Sequence, residues 1–198
     1  MNMQIKMNIT DILIISGKRN SGKTNLCRYL LNQIEKNYDI LVYDINNDYD
    51  DYKQHRFNDV IEYINFFNKN TDIKKNTFYV FDDVDLIMNS YSIPNFLMNF
   101  IYIGRHKNTG GIFIFRRLNN IHKQLMFNAD YMFIAKTTLS NDIEYIKKNI
   151  NEWELISKLD QYQFLMHNLL TDEYQIIKVP VQQKKKKGFI KSIKDVIF

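Results

Sequence analysis

The chain has 198 residues, of which 45% are hydrophobic and 25% are charged, and its formal net charge is +5. This composition excludes an intrinsically disordered chain and predicts one domain with a substantial buried core. The single cysteine excludes an internal disulfide and favours a reducing compartment, and no apolar run approaches the ~18 residues that span a bilayer. Much of the positive charge lies in the lysine run at 184–187, so net charge alone gives no argument for nucleic-acid binding.

Short apolar runs, predicted as strands, alternate with longer segments whose apolar residues recur at helical spacing. Uninterrupted apolar strands between helices predict an α/β fold of three layers, α/β/α, with a mostly parallel central sheet. Two shorter runs, 162–168 and 173–180, weakly resemble a hairpin. The predicted strands are 11–16, 39–44, 77–83, 111–115 and 130–136, and the predicted helices are 22–36, 58–69 and 93–106.

A phosphate-binding loop follows the first predicted strand. Residues 17–24 match G-x-x-x-x-G-K-[ST] in full, and this pattern between a strand and a helix is highly specific for nucleoside triphosphates. The glycines allow a tight turn whose N–H groups point at a polyphosphate, and the helix that begins there adds the positive end of its dipole. Lys23 is predicted to reach the β- and γ-phosphates, and the Thr24 hydroxyl to bind Mg²⁺. The predicted nucleotide-binding residues are Gly17, Lys18, Arg19, Asn20, Ser21, Gly22, Lys23, Thr24 and Asn25.

Two adjacent carboxylates end the third predicted strand. Asp82 is predicted to hold Mg²⁺ through water, and Asp83 to be the base that orients or deprotonates the attacking water. A switch GTPase is disfavoured because this strand lacks D-x-x-G, and because the nearest approach to N-K-x-D, at 68–72, misses by one residue and comes too early. A strand also intervenes between the loop and Asp82. The second acid and the fourth predicted strand, which follows Asp83, favour the P-loop class with an additional strand and a catalytic acid, in which the acidic strand is not the sheet neighbour next in sequence.

Four further side chains near these motifs are interpreted as having no role in nucleotide binding or catalysis. Cys27 is interpreted as a core residue and Arg28 as part of a solvated helix face. Asp85 is interpreted as a solvated acid, and His106 as structural rather than catalytic.

Residues 102–134 carry a more specific pattern. An arginine–histidine pair at 105–106 ends a predicted helix, a glycine-led strand starts at Gly110, arginines follow at 116–117, and Asn128-Ala129-Asp130 precedes another strand. In this order they resemble the HerA–FtsK superfamily of DNA-pumping ATPases, and especially its viral genome-packaging branch. The Asp82-Asp83 pair also resembles packaging enzymes of large eukaryotic viruses. The likeness covers about residues 11–136.

The resemblance implies roles for the arginines. Arg105 is expected to reach the γ-phosphate of a neighbouring subunit, and the alternative is a helix C-terminal charge that complements the helix dipole. Arg116 is expected to sense the γ-phosphate in its own subunit, although many relatives carry glutamine there. Arg117 is a weaker candidate. The predicted catalytic residues are Lys23, Asp83, Arg105 and Arg116, and the predicted metal ligands are Thr24 and Asp82.

The resemblance further implies an ATP-hydrolysing translocase of double-stranded DNA that works as a homo-oligomeric ring, with ATP and Mg²⁺ as cofactors. Such a motor grips the DNA backbone without reading sequence, and lysines around Lys107 and at 147–149 are candidates that a solvated face explains equally well. Without a recognisable signal peptide, we expect the host cytoplasm or the virion. One alternative is a nucleotide or nucleoside kinase. Another is a nucleotide-regulated assembly protein that hydrolyses little.

The sequence divides into a P-loop ATPase domain at 1–180 and a basic tail with a short amphipathic helix at 181–198. In the tail, Phe189, Ile190, Ile193, Val196 and Ile197 fall on one helical stripe after the lysine run. Such a segment docks on a capsid partner, lies on an anionic membrane, contacts DNA or packs on its own domain, and the sequence leaves these alternatives open.

Overall fold

Eight strands form one sheet in the computed structural model, which describes residues 7–55, 57–69, 72–150 and 152–180. Six neighbouring strands run parallel to one another. The seventh strand pairs antiparallel with the sixth and with the eighth. The mostly parallel α/β sheet predicted from the sequence is therefore confirmed. The strands are β1 (Ile12–Ser16), β2 (Asp39–Tyr43), β3 (Lys53–His55), β4 (Thr77–Phe81), β5 (Gly111–Phe115), β6 (Tyr131–Ala135), β7 (Gln163–Asn168) and β8 (Glu173–Lys178).

The strand order places β1 in the interior of the sheet. The order is β3-β2-β4-β5-β1-β6-β7-β8, so β5 lies between β1 and β4. This confirms the prediction that the acidic strand is not the neighbour of the first strand. Because β1, β4 and β5 are parallel, their carboxyl ends meet at one edge of the sheet. Antiparallel β7 begins at that same edge.

Apolar side chains on both faces of the sheet form two buried clusters. Alternate residues of β1 point to opposite faces: Leu13 and Ile15 pack with α1, and Ile12 and Ile14 face the cluster built by the remaining helices. Both faces of the sheet are thus covered, which explains why β1 is apolar at successive positions. The helices are α1 (Lys23–Ile34), α2 (Val60–Asn68), α3 (Asn95–Ile103), α4 (Lys123–Asn128), α5 (Ser140–Asn149) and α6 (Trp153–Lys158).

The structure adds three helices, α4, α5 and α6, to those predicted from the sequence, and it differs from the prediction in two further places. Strand β3 lies in a segment interpreted as a loop, because its three polar residues carry no apolar signal and add only an edge strand. The predicted helix 93–106 ends at Ile103 and is followed by a separate 3₁₀ turn, Arg105–Lys107. Asn108 ends that turn in a left-handed conformation with φ 54°.

The predicted basic tail, 181–198, lies outside the described residues, so its amphipathic helix and its boundary with the domain stay predictions. None of the helices that the structure describes combines the length and the apolar character needed to cross a membrane.

Candidate active site

The phosphate-binding loop forms the turn between β1 and α1 at the carboxyl edge of the sheet. Gly22, the residue before α1, has φ 100°, which glycine adopts without the strain that a side chain would bring. Gly17 is required by close packing, because a Cβ there would lie 2.6 Å from the Cβ of Ala135. Lys23 folds back over the loop, and its Nζ donates a hydrogen bond to the Gly17 carbonyl at 2.7 Å. The loop is therefore wrapped around the lysine predicted to bind phosphate.

A cleft of about 650 Å³ opens beside the loop, a volume typical of small-molecule sites. Most of the residues predicted from the sequence line it, and four further residues, Asn46, Asp48, Gln161 and Tyr162, were missed. Lys18 and Ser21 line an adjacent hollow on the loop instead. The predicted residues in the cleft are Arg19, Asn20, Gly22, Lys23, Thr24, Asn25, Asp82, Asp83 and Arg116.

Asp82 follows β4 and is buried at the cleft. Its N–H donates to the Tyr43 carbonyl at 3.0 Å, and its carbonyl accepts a hydrogen bond from the buried Tyr63 hydroxyl at 2.6 Å. Burial raises the pKa of the Asp82 carboxyl to about 7, the charge of Asp83 adds to this, and Lys23 partly opposes it. The ionised form of Asp82 is therefore costly at neutral pH unless a cation accompanies it.

The donor atoms at this point suit a magnesium ion shared with phosphates. Thr24 and Asp82 line the same cleft and offer the hard oxygen ligands that Mg²⁺ prefers. The part of the chain that the structure describes holds no group of three or more His, Cys, Asp or Glu residues placed to hold a metal. Mg²⁺ commonly takes one or two protein ligands and completes its shell with water and substrate phosphates, so this sparse set fits it.

Asp83 is held by two side chains from different parts of the fold. Arg116, directly after β5, donates from Nε to one carboxylate oxygen at 2.7 Å and from Nη2 to the other at 2.5 Å. Asn46, in the loop after β2, donates from Nδ2 to the second oxygen at 2.8 Å. Asp83 itself adopts a left-handed conformation with φ 50°. The predicted base and the predicted sensor are thus in direct contact.

Asp85, which was interpreted as solvated, supports a residue of the cleft. Asp85 is half-buried, and its carboxylate accepts the Arg116 backbone N–H at 2.5 Å, so it fixes the residue that holds Asp83. Burial raises the pKa of the Asp85 carboxyl above its ordinary value.

Arg28 is buried rather than solvated. It pairs with Asp51 at 2.5 Å and donates to the Asp48 carbonyl at 2.5 Å. These contacts tie α1 to the loop after β2, and the charged pair makes burial of the guanidinium tolerable. Cys27 is buried, as the sequence predicted.

Arg105 lies far from this cleft. Its Nη2 donates to Asp130 Oδ1 at 2.7 Å, and the other Asp130 oxygen accepts the N–H of Ile12, the first residue of β1. Both residues therefore mark the amino edge of the sheet, opposite the phosphate loop. The Arg105 side chain remains 56% exposed. Within one subunit, Arg105 cannot contact a nucleotide held by Lys23. Arg117 does not line the cleft either.

The residues that sequence reasoning missed come from segments without a local motif. Asn46 and Asp48 follow β2. They could have been predicted, because the loops at the carboxyl ends of neighbouring parallel strands converge. Gln161 and Tyr162 precede β7. Only the direction of β7, antiparallel to β6, brings its beginning to the phosphate loop. Gln161 Nε2 donates to the Asn20 carbonyl at 3.0 Å across 141 residues of sequence.

No family model matches the chain, and no curated protein matches it by sequence. Solved structures do match its fold. The genome packaging NTPase B204 from Sulfolobus turreted icosahedral virus 2, in complex with sulfate, superposes with a TM-score of 0.74 at 18% identity, over 89% of this chain and 100% of that chain. The same protein in complex with ATP-gammaS gives a TM-score of 0.74 at 19% identity, over 88% and 100%.

Two further solved structures share the fold over part of their length. The pCW3 conjugation coupling protein TcpA with ATPgS gives a TM-score of 0.59 at 12% identity, over 86% of this chain and 60% of that chain. EssC (ATPases 2 and 3) from Geobacillus thermodenitrificans gives 0.57 at 15%, over 88% and 40%. At these identities the likeness is one of fold. It confirms the P-loop NTPase fold predicted from the sequence, which this chain shares with the genome packaging NTPase B204.

Proposed function

We propose that this chain is an ATP-hydrolysing motor that drives double-stranded DNA into a viral particle, as a homo-oligomeric ring of the HerA–FtsK type. One observation carries the proposal: most of the phosphate loop, the acids Asp82 and Asp83, and Arg116 meet in one cleft, on a sheet in which β5 separates β1 from β4. The match in fold to B204, described as a DNA-packaging ATPase and covered over its whole length, supports the biological context.

In this proposal the loop and Lys23 hold the triphosphate. The backbone N–H groups at the start of α1 face the phosphates, and Lys23 exchanges its hydrogen bond to the Gly17 carbonyl for phosphate oxygens. Thr24 and Asp82 would hold Mg²⁺, which when bound neutralises charge on the β- and γ-phosphates. Burial lowers the pKa of the Lys23 ammonium group below its ordinary value, and the nearby carboxylates Asp82 and Asp83 oppose this only in part.

Hydrolysis then depends on the pair Asp83 and Arg116. Arg116 and Asn46 together donate three hydrogen bonds to the Asp83 carboxylate, and the paired guanidinium makes this carboxylate a weaker base toward an attacking water. The γ-phosphate offers Arg116 a more highly charged partner than one carboxylate. Arg116 therefore moves from the base to the phosphate as the nucleotide binds, which frees Asp83 and stabilises charge in the transition state.

Arg105 completes the site of a neighbouring subunit. It lies at the amino edge of the sheet and is half exposed, so a nucleotide that it contacts belongs to another copy. A heterologous, head-to-tail contact brings different faces of two copies together and closes into a ring when the rotation allows. Hydrolysis is thereby linked to the motion of adjoining subunits.

The test is the ATPase rate measured with and without long duplex DNA across a range of protein concentrations. We expect DNA to stimulate the rate, stimulation to fall with salt as phosphate contacts are screened, and activity to rise cooperatively with concentration as rings assemble. Lys23→Ala serves as the matched inactive variant. A rate that ignores both DNA and concentration would contradict the motor. Transfer of phosphate to a nucleoside monophosphate would identify the kinase instead.

The proposal also covers the compartment in which the protein acts and the partner of its C-terminal tail. A packaging motor acts in the host cytoplasm and on the virion. The tail at 181–198, with its lysine run and apolar stripe, would dock the motor on a capsid protein or an anionic membrane. Removing 181–198 should then leave DNA-stimulated ATPase activity intact and abolish encapsidation. Continued encapsidation by the truncated chain would assign the tail no docking role.

A further inference from the structure

We propose that Tyr162 is the platform on which the base of the bound nucleoside triphosphate stacks. The inference rests on the proposed nucleotide site, and it assigns a residue outside every motif of the sequence. Tyr162 lies at the turn before β7, is half-buried, and lines the same cleft as Lys23 and Asp82.

The polarity of the cleft places the base near Tyr162. The residues that act on the γ-phosphate, Asp82, Asp83 and Arg116, follow β4 and β5, on one side of β1. A triphosphate that crosses the end of β1 with its γ end toward those strands must leave its nucleoside end on the other side. That side carries β6 and β7, and Tyr162 is the aromatic residue of the cleft lining that stands there.

The Tyr162 ring is held in place before any ligand arrives. A Cβ on Gly22 would lie 2.5 Å from its Cδ1, so the ring edge sits directly on the phosphate loop. The Tyr162 N–H donates to the Ser21 carbonyl at 3.3 Å, and its carbonyl accepts the Val179 N–H at 2.9 Å. The backbone adopts a left-handed conformation with φ 63°, which is uncommon for a bulky side chain and typical of functional turns.

An aromatic face is suited to this ligand. Bases stack on tyrosine rings, and the interaction tolerates different bases because each has a π-face. Loss of such a contact weakens binding by roughly 10-fold. The phosphates remain bound to the loop, so removal of the ring should weaken the binding of the base and leave phosphate binding unchanged.

The experiment compares two probes by titration calorimetry with Mg²⁺ and without DNA: ATP, and inorganic triphosphate, which has no base. We expect Tyr162→Ala to weaken ATP binding roughly 10-fold while triphosphate binding stays within about twofold. Tyr162→Phe should bind ATP like the original chain, since the ring is kept. The matched control is Tyr91→Ala, which removes a tyrosine that is 94% exposed and outside the cleft.

Three outcomes would overturn the inference. Equal weakening of both probes would make Tyr162 a support for the loop, and unchanged ATP binding would leave it without a role. Equal affinity of the original chain for ATP and triphosphate would show that the base is not bound at all, with the phosphate site intact. If Tyr162→Ala does not fold, Tyr162→Trp replaces it: its fluorescence should be quenched by ATP and not by triphosphate, and equal responses to both would reject stacking. Failure of the original chain to bind either probe would instead reject the proposed function itself.

Discussion

At the scale of single residues, the contact between Arg116 and Asp83 is the most consequential one in the cleft. The guanidinium of Arg116 bonds both oxygens of the carboxylate proposed as the base. Since its proposed contact with the γ-phosphate strengthens in the transition state, we expect Arg116→Ala to lower kcat about 100-fold and to change ATP affinity by less than about threefold. Steady-state ATPase rates and calorimetric ATP binding measure the two quantities.

The adjacent arginine provides a matched control. Arg117 carries the same charge one residue further on but does not line the cleft. We expect Arg117→Ala to leave kcat within about threefold of the original value, because no transition-state contact is removed. A larger loss from Arg117→Ala than from Arg116→Ala would show that the roles of the two arginines have been exchanged.

Asp82 makes stability depend on pH in an unusual direction. Burial raises the pKa of its carboxyl from 3.8 to about 7, so between these values the folded chain holds a proton that the unfolded chain has lost. Its contribution to the free energy of unfolding therefore falls as the pH rises through this window. Asp82→Asn keeps the shape and removes the charge. We expect the free energy of unfolding of Asp82→Asn, measured with urea, to rise relative to that of the original chain by about 2–3 kcal/mol between about pH 5 and about pH 8. An advantage that does not change with pH would contradict a buried, titrating Asp82.

At the scale of elements, the turn before β7 packs on the phosphate loop before α1, where the Tyr162 ring lies against Gly22. An alanine at Gly22 meets two penalties, its positive φ and the Tyr162 ring. We expect Gly22→Ala to lower the free energy of unfolding by about 2–4 kcal/mol in the original chain, and by about 1–2 kcal/mol when Tyr162 is already alanine. Urea unfolding of the two single variants and the double variant measures this coupling. Additive effects would mean that the hairpin does not press on the loop.

Elements with a strong local signal could be predicted from the sequence, and those defined by distant partners could not. The apolar runs of β1, β4 and β5 predicted buried parallel strands, and the contiguous loop motif predicted the phosphate site. The three polar residues of β3 gave no such signal. The hairpin was only weakly indicated because β8 leaves most of its side chains exposed.

The same distinction applies within the cleft. Lys23 and Thr24 belong to a motif of neighbouring residues, and Asp82 ends an apolar run, so each could be assigned from sequence. Tyr162 reaches the loop through an antiparallel pairing with β6, a strand about 30 residues earlier, which no local pattern encodes. Arg28 was misinterpreted because its partner, Asp51, lies in a loop that folds back over α1.

At the scale of the whole molecule, the two edges of the sheet carry complementary parts of the proposed active site. The carboxyl edge holds the cleft, and the amino edge holds Arg105 with its partner Asp130. Tyr102 and Ile103, which directly precede Gly104 and Arg105 in the chain, expose apolar side chains. Clustered exposed apolar residues mark contact surfaces in soluble proteins. A neighbouring copy that covered them would bring its cleft to Arg105.

This arrangement makes two inactive variants complementary. Lys23→Ala destroys a subunit's own nucleotide pocket but keeps the Arg105 that contacts the pocket of its neighbour. Arg105→Ala keeps the subunit's own pocket but removes the arginine that its neighbour needs. When equal amounts are mixed in a ring, a site is complete where an Arg105→Ala pocket receives Arg105 from a Lys23→Ala neighbour, which random assembly provides at up to about one quarter of the positions. We expect each variant alone to hydrolyse ATP at least about 100-fold more slowly than the original chain, and the mixture to recover activity.

ATPase assays of the separate and mixed variants test this prediction, with a mixture of Lys23→Ala and Arg116→Ala as the control. That control should recover less, because both Lys23 and Arg116 act within one subunit and no mixed pair restores a pocket. If the Arg105→Ala mixture stays as inactive as its components, Arg105 acts only on its own subunit as the partner of Asp130.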